Sequence, residues 1–324
     1  MTTAPPPHLE ITRLAKQFAG GAGISDVAMT VPAGGITGFI GVNGAGKSTT
    51  LRCIVGLLTP DAGEIRLFGR PADAEGRRRI GFLPEERGLF PRDRARDVIA
   101  FYARLHGVAR REAYAEADRL LERIGLGARR RDRIGDLSKG NAQRVQILCA
   151  LAHRPELLIL DEPFSGLDPI GQAEVMSLFA EYRAAGGAIL FSTHAMAAAE
   201  RLCDRIVMLA GGRTVFQGSV AEVSQKAPHG ATVVTPDSEG LIEVARSLGG
   251  QAHPVSASLG DAACWRVLLP REITEPVLIR ALATQGVSIH SFEPIKANLE
   301  GAFWDLAASA SPKTETPSKT RHAA

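Results

Sequence analysis

The sequence predicts an α/β protein with a parallel sheet covered on both faces, followed by a small α+β domain. Three observations point there. Short, largely apolar runs such as 36–40 and 157–160 alternate with helix-length segments, as in strands buried on both faces. A glycine-rich stretch, 41–46, separates the first of these runs from a helix start. Beyond residue 227 the spacing changes, with strands expected at 232–235, 264–269 and 287–293 and helical patterns between and after them.

The elements follow in order. Residues 1–8 form a flexible Pro-rich leader lacking the basic start and apolar core of an export signal, so the cytoplasm is the expected compartment. A first strand is expected over 9–18. After the buried run 36–40, a helix opening near Lys47 carries Leu51, Ile54, Val55 and Leu58 on one face until Thr59, Pro60 and Gly63 stop it. Two helical stripes follow, Val98, Phe101, Tyr102 and Leu105, then Ala117, Leu120, Leu121 and Ile124, giving a helical subdomain over about 82–140. Strands return at 157–160, 188–192 and 205–209, with helices starting near Asn141, Ile170 and Met196. The first domain is expected over 9–226, the accessory domain over 227–308, and a disordered tail rich in Ser, Thr, Lys and Pro over 309–324.

Composition narrows the function. The 324 residues are 45% hydrophobic and 23% charged, the balance of a soluble globular chain of about two domains. No apolar run approaches the roughly 20 residues of a membrane-crossing helix. Cys53, Cys149, Cys203 and Cys264 are scattered, without metal-ligand spacing, and read as reduced core residues. The net charge of +3 is uneven: residues 70–133 hold 17 arginines, no lysine and 11 carboxylates, a local +6 against −3 elsewhere. That segment is either a solvated face or a surface for an anionic partner.

Two constellations carry chemistry. Gly41-Val42-Asn43-Gly44-Ala45-Gly46-Lys47-Ser48-Thr49 fits GxxxxGK[ST] and stands where that pattern has physical meaning, between a buried strand and a helix start. Its glycines let backbone N–H groups converge on a polyphosphate, the helix dipole faces it, Lys47 brings a point charge to the β and γ phosphates, and Ser48 a hydroxyl ligand for Mg²⁺. The run 157–160 then delivers Asp161 and Glu162 at a strand's carboxyl end, where open α/β sheets bind ligands. Asp161 suits Mg²⁺, and Glu162 suits the base that deprotonates an attacking water. An N-cap role for Asp161 would leave the adjacent carboxylate unexplained.

With these residues in place, the segment from Leu9 to Val220 resembles the ATP-binding subunits of ABC transporters. Leu137-Ser138-Lys139-Gly140-Asn141-Ala142-Gln143 is similar to the family's signature motif and lies between the two nucleotide motifs, as it does there. The resemblance implies that Ser138 and Gly140 contact the γ-phosphate held by an opposite subunit, so that the active unit is a head-to-tail homodimer. Ser138, Lys139, Gly140, Gln143 and Asp168, the last in the D-loop-like Ser165-Gly166-Leu167-Asp168, would then lie at the interface. His194 matches the switch histidine that contacts the γ-phosphate, and Phe18 the aromatic that stacks on adenine, with burial in the first strand's core as the other reading of Phe18. Glu85 stands where many members have a glutamine that touches Mg²⁺; a carboxylate there adds negative charge beside the metal. Lys139 and Asn141 likewise replace the commonest glycine and glutamine. Leu83-Pro84-Glu85-Glu86-Arg87-Gly88-Leu89, with Leu137-Ser138-Lys139-Gly140, looks like the exporter branch related to bacterial sodium-extrusion and drug-resistance ATPases. Phe292-Glu293-Pro294-Ile295 and Leu299-Glu300-Gly301-Ala302-Phe303 are similar to that branch's accessory domain.

The implied protein is a P-loop ATPase of ABC type, peripheral on the cytoplasmic face of the membrane, that takes ATP and Mg²⁺ and energises a separate integral-membrane permease. The alternative is a soluble ABC-type ATPase acting on nucleic acid or ribosomes. Against it, Lys47 and Asp161 are only 114 positions apart, too close for an inserted coiled coil, and each motif occurs once. No specific nucleic acid is therefore expected. The accessory domain carries no ligand constellation, since His229, His253 and His290 stand apart, and a dimer-stabilising role is the plainer expectation.

Overall fold

The computed structural model describes residues 5–86, 88–225, 229–259, 262–295 and 298–310. The first residues of the expected leader, the expected boundary at 226 and 227, and the expected tail beyond residue 310 lie outside the described residues. The chain forms two compact units, residues 5–220 with Ala310, and residues 221–309.

Ten strands build the first unit: β1 (Leu9–Gln17), β2 (Gly23–Val31), β3 (Ile36–Ile40), β4 (Ala62–Leu67), β5 (Arg70–Pro71), β6 (Ile80–Leu83), β7 (Leu157–Asp161), β8 (Ala188–Thr193), β9 (Arg205–Ala210) and β10 (Arg213–Ser219). They lie in one sheet in the order β5-β4-β1-β2-β10-β9-β3-β8-β7-β6. The stretch β9-β3-β8-β7-β6 is parallel. Every residue of β3, β7 and β8 is buried, which is why these strands are dominated by apolar residues. The other half departs from the expectation of a largely parallel sheet. β5-β4-β1-β2 and the β10–β9 pair are antiparallel, and β10 meets β2 through one parallel pair, Arg213 with Asp26. In β2, Ile24, Val27, Met29 and Val31 are buried while Ser25, Asp26 and Ala28 are exposed, so no continuous apolar run announces it.

Seven helices accompany the sheet: α1 (Lys47–Ile54), α2 (Ala74–Arg78), α3 (Ala95–Leu105), α4 (Arg110–Arg123), α5 (Lys139–Leu151), α6 (Pro169–Ala184) and α7 (Met196–Leu202). α1 stops about a turn earlier than its apolar spacing suggests, because Gly56 turns the chain at φ +82°. In α3 the buried stripe is Ala95, Ile99 and Ala103, at intervals of four, with Val98 and Ala100 beside it; Phe101 and Leu105, from the expected apolar stripe, are 54% and 65% exposed. Helix α5 is buried around most of its circumference and so forms the centre of the helical region. Much of the arginine-rich segment is engaged internally: Arg79 binds Glu156, Arg96 binds Asp118, Arg119 binds Glu116, Arg123 binds Glu181 and Arg129 binds Asp132.

A histidine pair ties α3 to the sheet. His106, which caps α3, stacks on His153, with ring centroids 3.6 Å apart and planes 13° from parallel. His153 Nε2 lies 3.1 Å from the Ile80 carbonyl of β6, and His106 Nδ1 lies 3.3 Å from that of Arg78. Burial, assisted by the neighbouring His106, pushes His153 down to about 4. In the unfolded chain a histidine takes its proton near 6.5, so between those values the unfolded state binds more protons and stability falls as pH falls. The urea midpoint is expected to drop between pH 7 and pH 5, and His153→Gln to reduce that drop. An unchanged pH dependence in the variant would assign the effect to other groups.

In the second unit, α8 (Val220–Ser224) leads into β11 (Gly230–Thr235), α9 (Ser238–Ser247), β12 (Gln251–Leu259), β13 (Ala262–Leu268), α10 (Glu275–Thr284), β14 (Ser291–Pro294) and α11 (Leu299–Ala310). The sheet order β12-β13-β11-β14, antiparallel throughout, with α9 and α10 as the connections, is the ferredoxin-like βαββαβ arrangement. Ala231, Val233 and Val267 from the strands pack with Leu241, Val244, Leu278 and Leu282 from α9 and α10 in a separate core.

Candidate functional site

The loop from β3 to α1 is shaped by glycine at two contacts. Gly46 sits at φ +104°, and a Cβ there would lie 2.3 Å from Ile24 Cγ2; a Cβ on Gly41 would lie 2.7 Å from the Leu209 carbonyl. No side chain caps α1, so its first N–H groups face outward as anion donors. Lys47 is 7% exposed, and its Nζ donates to the carbonyls of Gly41 at 2.7 Å and Val42 at 3.3 Å, which folds the ammonium over its own loop. A cavity of about 360 Å³ opens beside it, lined by Phe18, Asn43, Gly44, Gly46, Lys47, Ser48, Thr49, Glu85, Asp161 and Glu162 among others. Ala45 is buried behind the loop, and Gly41 packs on Leu209.

Phe18 follows β1 and is 42% exposed at the cavity, so the first strand's core does not take it. Asp161, at the end of β7, is 3% exposed; Glu162 beyond it adopts φ +49°, a left-handed turn that a residue with a side chain rarely takes. The Glu162 carboxylate Oε1 lies 2.8 Å from His194 Nδ1, just past the end of β8. The structure thus brings Lys47, Ser48, Glu85, Asp161 and Glu162 to one place, with His194 on the Glu162 carboxylate.

Ser138 caps α5, its Oγ accepting the Asn141 N–H at 3.2 Å, and Asp168 caps α6, its carboxylate accepting the Gly171 N–H at 2.7 Å. A Cβ on Gly140 would lie 3.3 Å from the Gly166 carbonyl, so the two loops pack on each other within the chain. Ser138 and Lys139 are exposed, and Ser138, Lys139, Gly140 and Asp168 are not among the residues lining the cavity. Gln143, expected at an interface, is 3% exposed and donates to the Pro163 carbonyl at 3.4 Å. Its place on the inward side of α5 turns it to the loop after Glu162.

One residue without a role in the sequence reading belongs to the site. Ser192, wholly buried in β8, donates to Asp161 Oδ1 at 2.5 Å and accepts the Glu162 N–H at 3.0 Å. Only the pairing of β7 with β8 places it opposite Asp161.

Oxygen donors suit a hard cation, and Ser48, Glu85 and Asp161 provide them around one cavity. Among the described residues no group of three or more His, Cys, Asp or Glu is placed to hold a metal by itself. Mg²⁺ is usually held by one or two carboxylates together with substrate phosphates and water.

Comparison with known proteins agrees with this geometry. Residues 24–165 match the family model described as ABC transporter. The ABC transporter ATP-binding protein YhaQ of Bacillus subtilis (strain 168) is 40% identical over 217 residues, 67% of this chain and 73% of that protein. The Nod factor export ATP-binding protein I of Rhizobium etli is 31% identical over 308 residues, 92% of each, so that likeness extends into the second unit. A solved ATP-binding subunit of an ABC transporter superposes with a TM-score of 0.62 at 34% identity, covering 67% of this chain and 92% of that one. With the phosphate loop, the paired carboxylates and the mixed sheet, these likenesses establish that the chain belongs to the ABC transporter family, as an ATP-binding subunit and an ATPase with the family's P-loop α/β fold.

Proposed function

We propose that this ATPase energises a separate integral-membrane permease, in the direction of export, by closing head-to-tail with a second copy around two ATP molecules. One observation carries the dimer: Ser138 and Gly140 stand at the start of a helix, suited to an anion, yet are not among the residues lining the chain's own ATP cavity. They complete, in this reading, a cavity on another copy. In this reading Phe18 stacks on adenine, residues 41–49 hold the phosphates, and Ser48, Asp161 and Glu85 hold Mg²⁺, which supplies charge neutralisation between the β and γ phosphates. Glu162 draws the proton from the attacking water, and His194 keeps its carboxylate aimed at the γ-phosphate. Closure draws its energy from γ-phosphate contacts that ADP lacks.

Among the described residues no helix is long and apolar enough to cross a membrane; in this reading the pathway for cargo lies on a separate permease. The Rhizobium etli relative is named for Nod factor export, which supports that direction. The first unit is then the ATPase domain and the second an accessory domain that stabilises the dimer, with the assembly peripheral on the cytoplasmic membrane face. Affinity purification of the tagged chain from its native membrane in mild detergent is expected to bring down an integral-membrane protein in stoichiometric amount. Repeated recovery of the chain without one would remove the transport reading.

A further inference from the structure

We propose that Ser192 is a positioning residue for hydrolysis, holding Glu162 and Asp161 in working geometry from the neighbouring strand. The inference rests on the reading of Glu162 as the base. A serine hydroxyl has one proton to give and two lone pairs to receive. An ionised carboxylate can only accept, so the Ser192 proton is committed to Asp161 Oδ1, and its lone pair takes the Glu162 N–H. That N–H needs such a partner. At φ +49° Glu162 has left the strand geometry of β7, and the Ser192 hydroxyl serves its amide in a part-buried contact.

The same strand end holds Glu162 at its other extremity. Two residues past Ser192, His194 Nδ1 meets the Glu162 carboxylate, and the turn between them is set by Thr193 Oγ1, which accepts the Ala195 N–H at 2.9 Å. Backbone and carboxylate of Glu162 are therefore fixed from one short segment of β8, at the price of a left-handed residue. Removing the Ser192 hydroxyl frees the backbone from that clamp and deprives the Asp161 carboxylate of the Ser192 proton, while the contacts of Lys47 with Gly41 and Val42 stay as they are.

The test uses the full chain as wild type, Ser192→Ala, Ser192→Thr and Glu162→Gln. ATP turnover, affinity for a fluorescent ATP analogue with and without Mg²⁺, and melting temperature are measured on each. Ser192→Ala is expected to lose about 10–100-fold in kcat, as when a partner that orients a metal-site carboxylate is removed. Its metal-free nucleotide affinity should stay at the wild-type value, and the affinity gained on adding Mg²⁺ should shrink. Ser192→Thr, which restores a hydroxyl in a side chain that suits a strand, should recover most of both. Wild-type turnover in Ser192→Ala overturns the proposal, as does a joint loss of turnover, metal-free binding and melting temperature that threonine fails to rescue. Glu162→Gln separates the two ideas. If it hydrolyses ATP normally, the reading of Glu162 fails; if it is inactive while Ser192→Ala is fully active, only the role of Ser192 fails.

Discussion

Glu162→Gln is expected to abolish ATP turnover while ATP remains bound. A positioned general base contributes about 10²–10⁴-fold to rate, and an amide cannot take the water's proton. The substitution otherwise changes little. The glutamine keeps the main-chain N–H that Ser192 accepts, fills the same volume, and presents an oxygen to His194 at the position of Oε1. Removing the negative charge also removes repulsion toward the γ-phosphate, so the ATP-bound pair of subunits should accumulate. Steady-state hydrolysis and size-exclusion chromatography with ATP, then with ADP, check both halves. Turnover at the wild-type rate would take Glu162 out of the mechanism, and a variant that stays monomeric with ATP would count against closure around two nucleotides.

Lys47→Ala is expected to fail earlier, at binding. A hydrogen bond to a charged group is worth about 1.5–3 kcal/mol, or about 10–100-fold in affinity, and alanine removes both the bond and the charge. The ammonium is already positioned, buried against the Gly41 and Val42 carbonyls, so little side-chain freedom is lost when a phosphate takes it over. Lys47→Arg should not rescue, because a planar fork cannot replace a point charge in so closed a loop. Equilibrium titration with a fluorescent ATP analogue measures the effect. An alanine variant that binds like wild type would show that the backbone N–H groups suffice.

The phosphate loop and the paired carboxylates were legible in the sequence because their chemistry is local. A strand, a glycine turn and a helix start occupy residues 36–47, and two carboxylates follow one apolar strand. In the antiparallel half β1 was legible, while β2, β4, β5 and β10 were not. β2 and β4 have exposed polar positions and take their place through pairing with β1, which no short window contains. Ser192 escaped for the same reason, since Phe191-Ser192-Thr193 reads as strand and the serine's value comes from register with Asp161. Gln143 was read through likeness alone; the inward side of α5 decides where its amide goes. The outward turn of Phe101 and Leu105 shows the limit of apolar periodicity, which locates a stripe without saying whether the chain itself covers it.

The junction between β2 and β10 makes the large sheet two plates along a seam. One ladder pair crosses it; beside that pair the Gly212 carbonyl accepts the Ser25 N–H at 2.9 Å, Arg213 Nε donates to Ser25 Oγ at 3.0 Å, and the Thr214 hydroxyl bonds both the N–H and the carbonyl of Ala28. Phe18 stands on the antiparallel plate, while Lys47 and Asp161 stand on the parallel one. In the proposed reading, a nucleotide with its base on Phe18 and its phosphates on the loop would bridge both plates, so that filling the cavity would add a second tie beside the narrow seam.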